Sequence, residues 1–167
     1  MPGSWAHLAR RFFWTLRAGD LTATELAEVE RLLTPRQFAL FVEQGPADRR
    51  HGWDAGRTVA KETDDLEVIR AALLHDIGKR HARLGVIGRT VASVLARLRI
   101  PAPGRLGLYL GHAALGAEEL AAAGSSALVV DFTHTHHGRK PAGIEQATWD
   151  LLVRADTEVI GPTAQAG

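Results

Sequence analysis

The chain has 167 residues, 46% of them hydrophobic and 23% charged, a composition that supports one packed core and excludes global disorder. Twenty Lys and Arg against nineteen Asp and Glu leave a formal charge of +1, so no broad positive field exists to hold a polymeric nucleic acid or an anionic membrane, and any grip on phosphate must be local. The lack of cysteine removes disulfides, thiolate metal sites and a thiol nucleophile; metal would have to be held by His, Asp and Glu.

Glycine and proline cut the chain into segments of helix length with helical periodicity, and an all-α fold is expected. Residues 4–18 carry Arg10, Arg11 and Arg17 among Trp5, Phe12, Phe13 and Trp14 without an apolar run of signal-peptide or membrane-span length. This reads as an amphipathic helix that packs its aromatics on the domain, and a cytoplasmic location is expected. With helices at 22–33 and 35–44 it forms an N-terminal helical extension, residues 1–45, that caps the core or meets a partner; a homodimer through these helices is the second expectation. Helices follow at 47–63, 65–77, 87–99, 105–123, 125–134 and 144–160. Residues 46–160 make the single domain that carries chemistry, and 161–167 read as a flexible tail.

The placement of His and Asp on the helical wheels is informative. His51, Ala55 and Val59 recur at four-residue spacing, and Leu108, His112 and Leu115 form an i, i+4, i+7 set, so both histidines are expected to point inward. In the 65–77 helix Val68, Ala72 and His75 share one stripe and Ile69, Leu73 and Asp76 its neighbour. Gly78 is expected to end that helix as a C′ glycine. In the last helix Trp149, Leu152, Val153, Asp156 and Ile160 make one face with an acid in its middle, and a buried carboxylate requires a partner: Arg, a protonated His or a metal ion.

Several inward His and Asp residues on different helices favour the metal. Divalent ions of the Fe, Mn, Co, Ni and Zn class accept imidazole nitrogen with carboxylate oxygen, and His51, His75, Asp76 and Asp156 would set two negative charges against two positive ones. Water on such an ion is acidified to a hydroxide nucleophile near neutral pH while the ion polarises a phosphoryl oxygen, so hydrolysis is the expected chemistry.

These residues resemble the HD superfamily of metal-dependent phosphohydrolases, in which a His is followed by a His-Asp pair at a helix end and a distant Asp. Here they are Arg50-His51, Leu73-Leu74-His75-Asp76-Ile77-Gly78-Lys79 and Arg154-Ala155-Asp156, and the resemblance spans about 46–160. It implies an HD-domain helical bundle with one or two divalent ions. It further implies that Asp76 bridges them, that His51, His75 and Asp156 complete one ion, and that His112 and His136 hold the other, with His137 as the alternative within the Thr133-His134-Thr135-His136-His137 run. The layout is similar to the bacterial HD hydrolases of dinucleoside tetraphosphates. It departs from the HD-GYP phosphodiesterases, since Gly138-Arg139-Lys140-Pro141 follows the double His and Ala47 stands four before His51 where three-metal members carry an acid.

Lys79 and Arg83 after the His-Asp pair, and Arg139 and Lys140 after the double His, are candidates to bind substrate phosphate, with Lys79 also a candidate catalytic group beside Asp76. The expected substrate is a small phosphorylated molecule, a nucleotide above all. Two rivals stay open. HD-fold di-iron oxygenases use the same ligand types on small polar or phosphonate substrates, and a non-catalytic HD module would only bind a ligand or partner.

Overall fold

The computed structural model describes residues 19–158, so the expected 4–18 helix with its aromatic cluster, the 161–167 tail and Ile160 lie outside the described residues. Among the described residues the chain is all helical, with no strand. In chain order the helices are α1 (Ala23–Leu32), α2 (Pro35–Val42), α3 (Pro46–Val59), α4 (Leu66–Leu74), a 3-10 turn (Ile77–His81), α5 (Val86–Arg97), α6 (Arg105–Leu110), α7 (His112–Ala122), α8 (Ala127–Thr135) and α9 (Gln146–Glu158). No helix among the described residues is long and apolar enough to cross a membrane.

The starts of these helices follow from side chains able to satisfy free N–H groups. Thr22 with Glu25 and Thr34 with Gln37 each form a reciprocal capping box, and Pro35 and Pro46 occupy first-turn positions where their missing N–H costs nothing. Asp65 and Ser126 cap α4 and α8 with their side chains.

Helix α4 is the central element, buried through Val68, Ile69, Ala71, Ala72, Leu73 and Leu74, and it packs against α3, α8 and α9. Its approach to α3 is close because Gly52 presents no side chain there: a Cβ on Gly52 would stand 2.6 Å from the Leu73 carbonyl oxygen. Helices α1 and α2 belong to the same core. Val29, Leu33 and Phe41 join Trp53, Leu73 and Leu152 in it, Arg70 Nε donates to the Leu32 carbonyl at 2.7 Å, and Gln37 Nε2 donates to Ser125 Oγ at 2.9 Å. A smaller cluster of Ala82, Ala92 and Tyr109 with Leu84 and Leu106 joins α5 and α6 to the 3-10 turn.

Two helices differ from expectation. The 65–77 helix ends at Leu74, and the chain passes through Asp76 at φ −105°, ψ 6° into the 3-10 turn. Gly78 therefore lies inside that turn and is no helix-ending C′ glycine; its lack of a Cβ serves a backbone approach described below. The 105–123 helix is broken at Gly111, which turns Leu108 outward, 43% exposed, while Tyr109, His112, Gly116 and Leu120 form the buried face. The Leu108 member of the expected stripe is thus wrong, although His112 does point inward.

Candidate metal centre

The site is built from helix ends. His75 and His136 are the C-cap residues of α4 and α8, and His112 follows the break that ends α6. The last carbonyls of a helix have no intrahelical partner, and here they orient imidazoles. Nδ1 of His75 donates to the Ala72 carbonyl at 2.8 Å, Nδ1 of His112 to the Tyr109 carbonyl at 2.6 Å, and Nδ1 of His136 to the Thr133 carbonyl at 2.8 Å, each three residues back. A carbonyl only accepts, so Nδ1 carries the proton in all three rings and Nε2 of the neutral ring is left with its lone pair.

Those three Nε2 atoms face Asp76. His75 Nε2 lies 3.4 Å from Asp76 Oδ2, as His51 Nε2 does at 3.7 Å, whereas His112 Nε2 lies 3.2 Å and His136 Nε2 3.5 Å from the other oxygen, Oδ1. Asp156 Oδ1 completes the first set at 3.0 Å from His51 Nε2 and 3.2 Å from His75 Nε2. The ring of His51 stands 5.2 Å from that of His75, a placement set by the α3–α4 contact at Gly52. One carboxylate thus divides its two oxygens between two groups of imidazoles.

These spacings suit metal ligands. Two donor atoms each ~2.1 Å from one ion, at tetrahedral or octahedral angles, stand ~3.0–3.4 Å apart. His51 Nε2 is hydrogen-bonded to Asp156 Oδ1, but Nε2 of His75, His112 and His136 and Oδ1 of Asp76 are buried without a hydrogen-bond partner among the described residues. A lone pair aimed at a carboxylate lone pair in a dry interior is costly unless a cation or proton lies between them. The buried His and Asp groups, Asp76 with His112, His136 and His137, and His51 with His75 and Asp76, are close enough to hold a metal ion.

The electrostatics agree with a site that needs positive charge. Burial, the largest influence on His75, disfavours its charged form, yet the carboxylates of Asp76 and Asp156 outweigh it and push the group up to about 9, so that without an ion a proton on Nε2 takes the place between His75 and these carboxylates. Burial alone would raise Asp76, but the charges of Lys79 and His75 and the contacts from His112 and His136 hold it well below the usual carboxylate range. Asp156 is likewise held low against burial, by His75 and His51. For His112 burial prevails over Asp76 and lowers the group.

Lys79, on the 3-10 turn and only 5% exposed, places its ammonium on Asp76 Oδ2. Gly78, one residue earlier, allows this turn to meet α7. A Cβ on Gly78 would stand 2.8 Å from the Gly116 nitrogen and closer still to the His112 carbonyl oxygen. His137 is exposed, with its ring 3.9 Å from that of His136 and 5.2 Å from that of His112, so both members of the double His lie at the second group.

The remaining candidates are placed apart from one another. Arg83 lines a cavity that Lys79 also lines. Lys140 Nζ donates to the carbonyls of Pro141 and Ile144, where it ties the turn that leads into α9, and Arg139 is exposed beside it. Sequence reasoning missed the pair of buried Asp48 and half-buried Arg89, joined by two hydrogen bonds of 2.5 and 2.6 Å across 41 residues. It also missed Gly116 as the partner of Gly78. No local signal marks a pair so distant in sequence, whereas small residues at Gly78 and Gly116 are a detectable hint of close backbone packing.

No family model matches this chain, and neither a curated protein nor a solved structure does.

Proposed function

We propose that the chain is a metal-dependent phosphohydrolase of the HD type, which cleaves a phosphoester or phosphoanhydride of a nucleotide or another small phosphorylated metabolite with two divalent transition-metal ions of the Fe, Mn, Co, Ni or Zn class. The observation that carries this reading is the division of the Asp76 carboxylate, Oδ2 toward His51 and His75 and Oδ1 toward His112 and His136, with buried imidazole Nε2 atoms on either side. A pair of ions so held supplies a water acidified for attack and an electrophile for the phosphoryl oxygen.

The chain's own residues supply the rest. The helix-end carbonyls of Ala72, Tyr109 and Thr133 fix three imidazole tautomers, so the donor atoms need no reorientation when ions bind. His51, His75, Asp76 and Asp156 form one donor set with two negative charges, and His112 and His136 share Asp76 in the other. Lys79 brings a buried positive charge to the edge of the centre, where it can offset charge that develops on the phosphoryl oxygens as the new P–O bond forms and the leaving oxygen departs with its bonding pair. A small substrate suits a chain of near-neutral charge whose basic groups are local.

The test is elemental analysis of the purified chain, followed by phosphate release from a panel of phosphomonoesters, phosphodiesters and nucleoside polyphosphates under Mn, Fe, Co and Ni. Bound metal with release on at least one substrate, abolished in the His75→Ala, Asp76→Ala double variant, is the expected result. Metal-loaded protein that releases no phosphate from any of them overturns the proposal, and oxygen-dependent turnover with an iron charge-transfer band would assign the site to an oxygenase instead.

A further inference from the structure

Beside the metal centre lies a cavity of about 470 Å³, lined by residues 43–48 before and at the start of α3, by Lys79, Arg80 and Arg83, and by Leu84, Gly85 and Arg89. Its size falls within the ~300–1,000 Å³ range of small-molecule sites. Lys79 joins the cavity to the centre, since it lines the one and touches Asp76 Oδ2 in the other.

The cavity's charges are unevenly committed. Of its two acidic residues, Asp48 has both oxygens taken by Arg89, and Glu43 accepts from Arg80 Nε at 2.9 Å. Arg80 is further engaged by both oxygens of Glu119 and by the Ile77 carbonyl. Arg83 differs: its side chain is exposed at the cavity and makes no hydrogen bond or ion pair among the described residues.

The backbone that presents Arg83 is held in place. Arg83 has φ 44°, in the left-handed region that non-glycine residues seldom adopt because it is strained. Arg105 of α6 grips this turn, with Nε donating to the Ala82 carbonyl at 2.7 Å and the guanidinium also bonded to the Arg83 carbonyl. A turn fixed in an unfavourable conformation, with an uncommitted guanidinium at its apex, projects that group over the cavity. Two helices begin at its wall, α3 at Gly45 and α5 at Gly85, and neither has a side-chain cap; α3 carries Asp48 in its first turn, with that carboxylate held by Arg89, whereas the first turn of α5 has no acid. Among the described residues the lining contains no aromatic ring.

Resting on the phosphohydrolase reading, we infer that this cavity is a subsite for a second phosphoryl group of the substrate, attached to the scissile one, with Arg83 as its ligand and Arg105 as the residue that positions Arg83. A planar guanidinium matches the oxygens of a phosphate in a two-bond fork. The substrate class is then a pyrophosphate or oligophosphate in preference to a simple phosphomonoester.

The test measures binding, not turnover, so that it is separable from the hydrolase reading. Dissociation constants for pyrophosphate and orthophosphate are determined by calorimetry on the full chain as purified. Wild-type protein is expected to bind pyrophosphate more tightly than orthophosphate. Arg83→Gln should weaken pyrophosphate about tenfold and orthophosphate less than twofold, Arg83→Lys should keep most of the pyrophosphate affinity, and Arg105→Gln should reproduce a pyrophosphate-selective loss. Equal affinity for the two anions in wild type, an Arg83→Gln variant that binds pyrophosphate like wild type, or an equal loss for both anions overturns the subsite. An Arg105→Gln variant with unchanged binding overturns the positioning role. If the split is found while no phosphoester is hydrolysed, the subsite stands and the hydrolase reading falls; if hydrolysis is found without the split, the reverse holds.

Discussion

Gly78 and His112 meet backbone to backbone, with the space for a Cβ on Gly78 already filled by the His112 carbonyl and the Gly116 nitrogen. The contact brings the 3-10 turn bearing Lys79 against the helix bearing His112, so the separation of the two donor sets depends on the absence of a side chain at one residue. Gly78→Ala is expected to cost about 3 kcal/mol, at the upper end of overpacking penalties, because the obstructing atoms are backbone and cannot rotate away. Urea denaturation of the metal-free variant checks this; a cost under about 1 kcal/mol would show that the two elements can part without strain.

The shared carboxylate predicts unequal consequences for neighbouring ligands. Asp76→Ala removes oxygens from both donor sets and should abolish binding of both ions, whereas His112→Ala touches only the Oδ1 side and should leave one ion bound per chain. Metal-to-protein ratios after gel filtration distinguish the two. Equal losses in both variants would count against a bridging role.

Lys79 donates to Asp76 but is no member of either imidazole group, so its loss should affect catalysis more than metal content. Lys79→Gln is expected to lower kcat on the order of 100-fold or more, comparable with removal of one preorganised electrostatic donor, with metal stoichiometry unchanged. A variant that loses its metal as well would recast Lys79 as a structural counter-charge.

The described part of the N-terminal extension contributes an acid-sensitive clasp. Glu25 of α1 receives the guanidinium fork of Arg50, the main cause of its fall from an ordinary value of 4.5 to about 2, and its carboxylate also accepts from Trp53 Nε1 at 3.1 Å. A carboxyl group depressed in the folded state adds stability that is fully present above its unfolded value and is lost as pH falls through the folded one. The melting temperature should therefore decline between about pH 4.5 and 2 more steeply in wild type than in Glu25→Gln. Parallel curves for the two proteins over that window would exclude this clasp as a source of acid sensitivity.

Much of the site was legible because burial and periodicity coincide on single helices. His51 with Ala55 and Val59, and His75 and Asp76 beside Val68, Ile69, Ala72 and Leu73, fall on apolar stripes that must face the core, and all are buried. Periodicity failed where a helix breaks. Leu108 was assigned inward by continuing the register of His112 through Gly111, and the break there rotates the two segments relative to each other. Gly78 was legible as a glycine with a purpose, but a C′ turn and a backbone contact look alike until the facing chain is known.

The all-α class and the inward placement of His51, His75, Asp76 and His112 were thus determined by the sequence itself, since each depends on spacing along one element. Only the tertiary structure decided which Asp76 oxygen faces which imidazoles, that Arg89 neutralises Asp48, and that Arg83 stands uncommitted over a cavity while Lys140 is tied to its own turn. Apart from the Lys140 turn and the adjacent His75–Asp76 contact, those relationships join residues tens of positions apart. They are set by how closely helices approach at Gly52 and Gly78, a property of two surfaces together that no single helical wheel contains.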